Sequence, residues 1–554
     1  HEAELRELIQ LTKQNGLVGD LLERLQTPTI QDYRFAFEPR TPPSHPALQR
    51  LGITDETSRY QFTTIYENSI AGYFSYLQTI DQDKAQFFLS WLDAHIKETD
   101  RQAHTYIVAG SRSGKSELLK ILLHNYIKKG FSSLVVLDPS GKLASEVAHF
   151  QNFTNPANAS RLIYFDPYLG QKNGVYPVIN PFECTYKDLY RLDRATDELT
   201  RAVNQILADT GSGFTDQMGL IVKRMIAVLL YKGNGSFWDL LRFLNNDQNT
   251  DLIEIGKKHP NQAVKEFFLY RFGQDKDLSV SISGIKTRIE NLTSNTLFMR
   301  CTTGTSTIDL QKALDSRKYL IFNLSKGNLG ENVSKYLGKL IVAQVQILSL
   351  QRQDRPSETY PPVHIFIDEM HNYITQSIEQ ILTESAKYKY YLTLANQYTG
   401  QSDRPTGASQ FYTALLGNTW IKVIGKAGYD TIADMSREMG VSKDVLNQLE
   451  KGKFYVRVGN STPFLLTASK RLLDIKHSMS EKEWDSLTIE QLNKYYRKPT
   501  VYQRQTTIEP AQQRSEKTQE KPLFTEAKKT EGDTTTPEPQ KPQPKKKFTR
   551  KLDF

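Results

Sequence analysis

The chain has 554 residues, of which 38% are hydrophobic and 24% are charged, and its formal net charge is +9. This length is too great for one hydrophobic core, so roughly three or four domains, or one large domain with insertions, are expected. The two cysteines exclude a disulfide framework. No window of about 18 apolar residues is present, so no membrane-spanning helix is predicted, and no cysteine or histidine spacing predicts a structural zinc site.

The first hundred residues predict an accessory region. They combine a helical periodicity with a Pro/Ser-rich turn at Arg40–Pro46 and with many aromatic residues between Tyr60 and Trp91. We expect a small mixed or helical module whose function the sequence does not reveal. The chain begins with His1 rather than Met, which leaves open a membrane anchor ahead of it.

A Gly/Ser-rich segment, Ala109–Ser116, lies between the apolar run Thr105–Val108 and the amphipathic run Glu117–Leu123. A strand, a glycine-bearing loop and a helix in this order are the context of a nucleotide-binding P-loop. The loop N–H groups and the positive end of the helix can cradle phosphate oxygens. We therefore expect the nucleotide contacts to come from Gly110, Ser111, Arg112, Ser113, Gly114, Lys115, Ser116 and Glu117.

Two side chains of this loop have predicted roles. Lys115 is expected to reach the β- and γ-phosphates, and the Ser116 hydroxyl is expected to ligate Mg²⁺. Ala109 stands where the usual first glycine would be, a change that is tolerated if the position does not need a positive φ. Taken alone, the tripeptide Gly114–Ser116 is equally compatible with a simple turn.

An alternation of strand and helix patterns begins at Thr105 and predicts a mostly parallel sheet. The run Ser132–Leu137 ends in Asp138, which is either a carboxylate facing a ligand at the strand end or a turn former before Pro139. The alternation resumes with the strand Arg317–Leu324 and a long helix from about Glu331 to Arg352.

Between Lys187 and Thr293 the pattern changes. Apolar residues recur at helical spacing, and strand patterns are nearly absent. This predicts an all-helical insertion. Its surface bases, such as Lys223 and Arg288, fit either a solvated face or contact with nucleic acid.

The apolar strand Val363–Ile367 delivers two adjacent carboxylates, Asp368 and Glu369. Asp368 is predicted to hold Mg²⁺ directly or through water, and Glu369 to orient and polarise the attacking water. Such a pair downstream of a P-loop is typical of a Walker B motif. Together the two motifs predict a nucleotide hydrolase.

A third strand, Tyr390–Asn396, ends in Gln397. An amide at this position could sense the γ-phosphate and relay its loss to the rest of the protein, so we predict a catalytic role. The alternative is a glutamine that caps the next turn.

The order of these motifs resembles the FtsK/HerA superfamily of ring-forming, DNA-pumping ATPases. Within it the sequence is most similar to the type IV coupling proteins of conjugative DNA transfer, which carry an all-helical domain between the two Walker motifs. The resemblance covers about residues 100 to 470 and includes the pattern Leu449–Arg457.

The resemblance implies an ATP-driven translocase that pumps DNA, or a DNA–protein complex, in conjugative transfer or type IV secretion. It implies ATP and Mg²⁺ as cofactors, and a homo-hexamer with nucleotide between subunits and DNA in the central channel. It also implies relaxase and secretion-channel proteins as partners. We expect the chain to act in the cytoplasm or on the cytoplasmic face of the inner membrane.

One position departs from the family. Before the third strand the family tends to carry Arg-Lys, whereas this chain has Ala386 and Lys387. An arginine finger contributes about 10³-fold or more to turnover. Three explanations stay open: Lys387 substitutes poorly because it lacks the planar fork, another arginine such as Arg404 or Arg437 serves, or hydrolysis is slow.

Three other functions are considered. A HerA-type DNA-processing or packaging ATPase uses the same core. A recruitment platform, in which nucleotide only organises a ring, is favoured by the missing arginine at Ala386. The run Asp368–His371 matches a DExH helicase, but Lys115 and Asp368 are too far apart for a compact helicase domain. His371 is then expected at a helix start and His364 in the core.

The predicted fold class is α/β, with a RecA-like P-loop NTPase core, a mostly parallel sheet and an inserted all-helical domain. A polar carboxyl-terminal tail with Lys545–Lys547 is expected to be disordered. The predicted division is an accessory region at 1–100, the core at 101–186 and 295–475, the insertion at 187–294, a helical extension at 476–499 and the basic low-complexity tail at 500–554.

Overall fold

The computed structural model describes residues 30–80, 82, 96–183, 188–211, 213–245, 247–397, 408–468 and 478–499. The predicted tail and the helical pattern of residues 1–29 lie outside these ranges. Within them, no helix combines the length and the apolar character that crossing a bilayer requires.

Within the described residues, nine strands form one sheet in the order β3-β4-β2-β5-β6-β1-β7-β8-β9. All neighbours pair in parallel except β7 with β8 and β8 with β9, which are antiparallel. The strands are β1 His104–Val108, β2 Ser133–Asp138, β3 Leu162–Phe165, β4 Tyr319–Asn323, β5 Val363–Ile367, β6 Tyr390–Asn396, β7 Thr419–Ile424, β8 Lys453–Val458 and β9 Phe464–Thr467. A mostly parallel sheet, as predicted, is therefore present.

Helices surround the sheet. The α-helices of the core are Lys115–Lys129, Lys142–Ala148, Pro156–Ala159, Pro167–Lys172, Leu310–Asp315, Lys326–Leu329, Glu331–Gln351, Gln376–Glu384, Ala408–Asn418, Tyr429–Met439, Lys443–Asn447 and Glu481–Tyr495. Short 3₁₀ turns occur at Gln151–Thr154, Arg352–Asp354, Ser357–Thr359, Met370–Asn372 and Ser385–Tyr388.

The parallel strands are buried on both faces because helices cover each side. Alternate residues of β2 therefore enter two separate hydrophobic clusters: Val135 and Leu137 face one, Leu134 and Val136 the other. This alternation explains why the strand sequences are continuous apolar runs rather than alternating ones.

A block of helices without strands occupies the described residues between 188 and 302. Its helices are Leu189–Asp209, Asp216–Lys232, Phe237–Phe243, Thr250–Lys257, Gln262–Glu266, Ser279–Thr293 and Thr296–Thr302, with a π-helical turn at Phe267–Arg271 and a 3₁₀ turn at Lys276–Leu278. The core of this block is continuous with the cluster on one face of the sheet. The predicted domain boundaries themselves stay a prediction.

The amino-terminal part is helical where it is described, with helices Ile30–Phe35, Pro46–Arg50, Glu56–Ile65, Ile70–Ile80 and Glu98–Arg101. It has its own aromatic core, in which Tyr33, Phe62 and Tyr76 pack edge to face or tilted. The buried Tyr33 hydroxyl donates to the Glu67 carbonyl oxygen over 2.6 Å. The aromatic residues noted in the sequence thus serve packing in this module.

The edge strand β3 is covered by the helix Glu481–Tyr495. A capping box of Ser480 and Glu483 starts this helix. Gln491 accepts the N–H of Tyr164 over 2.9 Å and donates to the Leu162 carbonyl over 3.1 Å. A side-chain amide therefore satisfies the backbone of the open edge, which would otherwise be free to pair with another chain.

Candidate active site

The strand order brings three motifs to one edge of the sheet. The P-loop follows β1, Asp368 and Glu369 follow β5, and Gln397 follows β6. Because β6 lies between β1 and β5, the end of β6 stands between the P-loop and the carboxylate pair. This edge holds the carboxyl ends of the parallel strands, where open α/β sheets bind ligands.

The P-loop turns into its helix at Gly114, whose φ of 101° is in the left-handed region. The N-cap residue Gly114 has no side chain to cap the helix start. Apart from the Lys115 N–H, which the Ser113 hydroxyl accepts over 3.4 Å, the first-turn N–H groups remain donors of the kind that a helix leaves unsatisfied. A Cβ at Gly114 would lie 3.1 Å from the Gly452 Cα. The Gly452 N–H donates to the Ser113 carbonyl over 2.6 Å. The turn before β8 therefore packs against the P-loop and hydrogen-bonds to it.

Ala109 occupies the first P-loop position without strain. It is not among the described residues with positive φ, and its N–H donates to the Asn396 carbonyl over 3.1 Å. The buried methyl group fits because Gly425 faces it: a Cβ at Gly425 would lie 2.9 Å from the Ala109 Cβ. The expectation that an alanine is tolerated here is confirmed.

Lys115 lies buried between the two carboxylates. Its Nζ donates to Asp368 Oδ1 and, over 2.9 Å, to Glu369 Oε1. Burial acts to lower the pKa of Lys115, but the charges of Asp368 and Glu369 outweigh it, so the pKa is raised. Burial raises the pKa of the Asp368 carboxyl, and Lys115 opposes this shift. The lysine is thus held as a cation and partly compensates two desolvated anions.

Glu369 has an unusual backbone. Its φ of 47° and ψ of 56° are left-handed, a conformation that costs a non-glycine residue about 1–3 kcal/mol. Its N–H donates to Asp368 Oδ1 over 3.0 Å, and its carbonyl accepts from Asn372 Nδ2 over 2.8 Å. Strain of this kind is typical of functional positions, and here it turns the carboxylate back toward the P-loop.

The second carboxylate oxygen of Glu369 is an acceptor without a recorded donor. Glu369 Oε2 is buried and has no hydrogen-bond partner among the residues that the structure describes. His371 Nδ1 lies 3.7 Å from this oxygen and 3.2 Å from Asn396 Oδ1. A water molecule that donates to this oxygen would be within reach of Glu369 as a general base.

Gln397 joins the P-loop to the carboxylate pair. Its Nε2 donates to Glu369 Oε1 over 2.8 Å, and its Oε1 accepts from Ser111 Oγ over 2.8 Å. Because the amide has both a donor and an acceptor, it can connect two groups that the sequence separates widely. The structure therefore brings Ser111, Lys115, Asp368, Glu369 and Gln397 into one connected network.

The remaining predicted residues surround this network. Arg112 and Ser116 are exposed, and Arg112 has a φ of 61°. The Ser113 hydroxyl is buried and accepts the Lys115 N–H over 3.4 Å. Glu117 accepts from Lys120 Nζ over 2.8 Å and so faces its own helix. The Gly110 N–H is used within the protein, because it donates to the Lys426 carbonyl over 2.8 Å.

Asp138 organises a turn. Its Oδ1 accepts the Ser140 N–H over 2.8 Å, and its Oδ2 accepts the Ala144 N–H over 2.9 Å. These bonds satisfy backbone donors around the start of the helix Lys142–Ala148. Of the two interpretations of Asp138, the structure supports the turn former, because both carboxylate oxygens accept backbone N–H groups.

The residues fit a nucleotide with Mg²⁺. The uncapped helix start provides donors for phosphate, Lys115 provides a buried cation, and Asp368 provides a carboxylate oxygen that suits a hard metal ion. The unpartnered Glu369 Oε2 provides the acceptor for a water. Ser116 is exposed at the first turn of the helix, within the same loop.

The described residues considered as a trans-acting cation, Lys387 and Arg437, have no recorded contact with the P-loop network. Ala386 and Lys387 belong to the 3₁₀ turn Ser385–Tyr388, which precedes β6 and so lies at the opposite edge of the sheet from the P-loop. The Lys387 Nζ lies 5.0 Å from the centre of the Tyr388 ring. Arg437 is exposed and pairs with Asp434 over 3.4 Å. Arg404 lies outside the described residues, so no candidate is selected by geometry.

Sequence reasoning missed three supports of the loop. The P-loop is contacted by Asn396 at the end of β6, by Gly425 directly after β7 and by Gly452 in the turn before β8. Gly452 lies in the pattern Leu449–Arg457, which was noted without a role. Two glycines next to apolar strands could have indicated a close backbone approach.

Comparisons with known proteins agree with this geometry. The sequence profile of the family described as Type IV secretory system Conjugative DNA transfer matches residues 74–474. The comparison with curated proteins gave no match.

Solved structures match the fold. Plasmid coupling protein TrwB in complex with the non-hydrolysable GTP analogue GDPNP matches with a TM-score of 0.51 and 16% identity, over 70% of this chain and 92% of that chain. TrwB in complex with ADP and Mg²⁺ matches with a TM-score of 0.50, at the same identity and coverage. VirB4 of Thermoanaerobacter pseudethanolicus matches at 0.45 and 14% identity, over 68% of this chain and 91% of that chain. At these identities the likeness to TrwB shows a shared RecA-like fold.

Proposed function

Because the chain belongs to the type IV secretory system family of conjugative DNA transfer, we propose that it is an ATPase that moves DNA, or a DNA–protein complex, through a homo-hexameric ring. The observation that carries this proposal is the network in which Gln397 connects Ser111 of the P-loop to Glu369, while Lys115 contacts the same carboxylate. A protein that only binds nucleotide needs a P-loop but not a partly buried, strained glutamate held by an amide.

Each residue has a distinct task in this proposal. Lys115 neutralises phosphate charge, Ser116 and Asp368 hold the metal ion, and Glu369 orients the attacking water and accepts its proton through the open Oε2. Gln397 fixes the other oxygen, Oε1, and so fixes the direction in which Oε2 points. Lys115 also opposes the rise in the pKa of the Asp368 carboxyl that burial causes.

ATP and Mg²⁺ are the proposed cofactors, since TrwB has a structure in complex with ADP and Mg²⁺. Bound there, Mg²⁺ would supply positive charge to the phosphate oxygens. The positioning of water and the sensing of phosphate remain the task of the protein side chains.

Coupling to DNA is proposed to run through β6 and the helical block. Gln397 ends β6, so a change in its hydrogen bonds acts on the centre of the sheet. One face of the sheet shares a continuous hydrophobic core with the helices between 189 and 302. A packed core transmits displacement because it has no free volume to absorb it.

Two further parts of the proposal concern the cellular location with its partner proteins and the cation that completes the active site. The chain is proposed to act at the cytoplasmic face of the inner membrane, with relaxase and secretion-channel proteins as partners. A trans-acting cation is proposed to complete the site, and Lys387, Arg437 and Arg404 are its candidates.

A recruitment platform with little turnover is the second candidate, because Ala386 replaces the arginine that a neighbouring subunit would supply. A translocation assay separates the two. The protein is incubated with ATP and duplex or single-stranded DNA that carries a bound streptavidin block, and release of the block is followed. Release that needs ATP supports the motor, and nucleotide-dependent ring assembly without any release supports the platform.

A further inference from the structure

A group of basic side chains lies at the edge of the sheet opposite the P-loop. It surrounds the amino-terminal ends of β2, β3 and β4, and we call it the basic edge; its cations are Lys128, Arg161, Lys312, Arg317, Lys318 and Lys494. The strands in this region are four to six residues long. At about 3.3 Å per residue, the basic edge is therefore separated from the level of the nucleotide site by roughly 13–20 Å along the strand direction.

Backbone contacts hold these residues close together. Arg161 Nε donates to the Arg317 carbonyl over 2.7 Å, and Lys318 Nζ donates to the Ser160 carbonyl over 2.5 Å. A Cβ at Gly130, which ends the P-loop helix, would lie 2.9 Å from Arg161 Nη1. Residues from separate parts of the chain therefore meet at one place.

The positive charges of the basic edge repel one another. Burial, followed by the positive charges of Lys494, Arg161 and Lys312, lowers the pKa of Lys318. The recorded hydrogen bonds of Arg161 and Lys318 go to carbonyl oxygens rather than to carboxylates. Like charges placed side by side destabilise a fold, so their presence requires another explanation, and an anionic partner provides one.

The strands of the basic edge begin at one level, and an exposed aromatic residue lies beside them. Leu134 and Leu162 both pair with Tyr319, so β2, β4 and β3 begin at the same level. In a parallel α/β layer the helices end where the strands begin, which places the cations near one plane. Phe131, between the P-loop helix and β2, is 68% exposed at this level.

We propose that the basic edge docks on an anionic lipid bilayer, with Phe131 in the headgroup region. Lysine and arginine side chains around an exposed aromatic residue are the usual composition of a surface that lies on such a membrane. A nucleic acid fits less well. A single exposed phenylalanine does not offer the series of stacking platforms that binds single-stranded nucleic acid. This proposal does not depend on hydrolysis.

Vesicle flotation tests the proposal with the full chain. One set of vesicles is phosphatidylcholine, and the other is equal parts of phosphatidylcholine and phosphatidylglycerol. The test variant combines Lys312→Glu, Arg317→Glu and Lys494→Glu. Each basic residue near an anionic surface is worth roughly fivefold in partitioning, so the variant should bind the anionic vesicles at least roughly 100-fold more weakly.

Matched variants separate this surface from general charge. Lys258→Glu, Lys265→Glu and Lys276→Glu change the net charge equally, at exposed positions of the helical block, and should bind like the unmodified chain. Phe131→Ser should weaken binding several-fold, whereas Tyr60→Ser, which removes another exposed aromatic residue, should not.

Three outcomes overturn the proposal. One is equal binding of the two vesicle types by the unmodified chain. Another is equal loss in the test and matched variants. The third is unchanged vesicle binding in the test variant together with weaker binding of DNA or a changed oligomeric state, which would assign the basic edge to nucleic acid or to a neighbouring subunit. ATP hydrolysis without DNA should be the same in all these variants, so the test is independent of the proposed function.

Discussion

Gln397 Nε2 and Glu369 Oε1 are joined by a hydrogen bond of 2.8 Å, although the two residues end different strands. The same amide accepts from Ser111 of the P-loop. The loop that is expected to bind phosphate and the glutamate that is expected to activate water are thus connected by one side chain.

Replacing this amide should slow the chemical step rather than weaken nucleotide binding. In Gln397→Ala, Glu369 Oε1 loses one of its two donors, and the bond from Lys115 alone fixes the orientation of the carboxylate less well. We expect kcat to fall roughly 100-fold with little change in KM. Gln380→Ala removes a surface amide that contacts Arg201 and serves as the control. A large rise in KM at constant kcat would contradict the positioning role.

The hydroxyl group of Ser111 should act through Gln397. Ser111→Ala removes the hydroxyl that fixes the amide, and the loss of one neutral hydrogen bond is worth about 1 kcal/mol, or roughly fivefold in turnover. Ser111→Thr keeps the hydroxyl and should restore most of the rate. Steady-state kinetics compare the two, and a threonine variant as slow as the alanine variant would show that the hydroxyl is not the reason.

Lys115 and Asp368 should be strongly coupled in stability. Lys115→Met leaves the buried Asp368 and the partly buried Glu369 without their cation, and we expect the free energy of unfolding to fall by about 3 kcal/mol at neutral pH. Adding Asp368→Asn removes one of the anions and should recover part of this loss. Urea unfolding of the single and double variants gives the coupling energy, and purely additive effects would count against the buried ion pair.

The fit of Ala109 should depend on the absence of a side chain at Gly425. In Gly425→Ala the new methyl would lie 2.7 Å from Phe454 Cε1 and 2.9 Å from the Ala109 Cβ. Overpacking of this kind costs about 1–3 kcal/mol. Gly417→Ala, where nothing lies within 4 Å, should leave thermal stability unchanged or raise it. Equal melting temperatures for the two variants would contradict the close approach.

Buried His364 should make the fold sensitive to acid. Burial lowers its pKa from 6.5 to about 3, with a smaller contribution from Arg101. Between these values the unfolded chain binds a proton that the folded chain does not, so stability is fully present above about pH 6.5 and is lost as pH falls toward 3. His364→Phe should remove about 1.4 kcal/mol per pH unit of this dependence. Denaturant unfolding at pH 5 to 7 measures it, and parallel curves for both proteins would contradict the prediction.

Sequence patterns predicted the main strands and the chemistry at their ends, because each motif is local. The P-loop needs an adjacent strand and helix, and Asp368 with Glu369 needs only the apolar strand before it. Membership of the coupling-protein family also followed from the order of such motifs and is confirmed. The roles of the individual site residues stay predictions.

The contacts between motifs could not be predicted in this way. The bond from Ser111 to Gln397 exists because β6 lies between β1 and β5, and strand order is a property of the whole sheet. The left-handed backbone of Glu369 depends on bonds to Asp368 and Asn372 that no pattern specifies. The support of Gly114 by Gly452 likewise joins distant parts of the chain.

The central claim is that this network hydrolyses ATP in response to DNA. The most direct measurement is steady-state ATP hydrolysis by the unmodified chain and by Glu369→Gln, each with and without DNA, alongside ATP binding by both. We expect hydrolysis by the unmodified chain to rise with DNA. Glu369→Gln should bind ATP normally and lose roughly 100-fold or more of the rate under both conditions. Equal rates in the two proteins, or a rate that DNA does not change, would contradict the account.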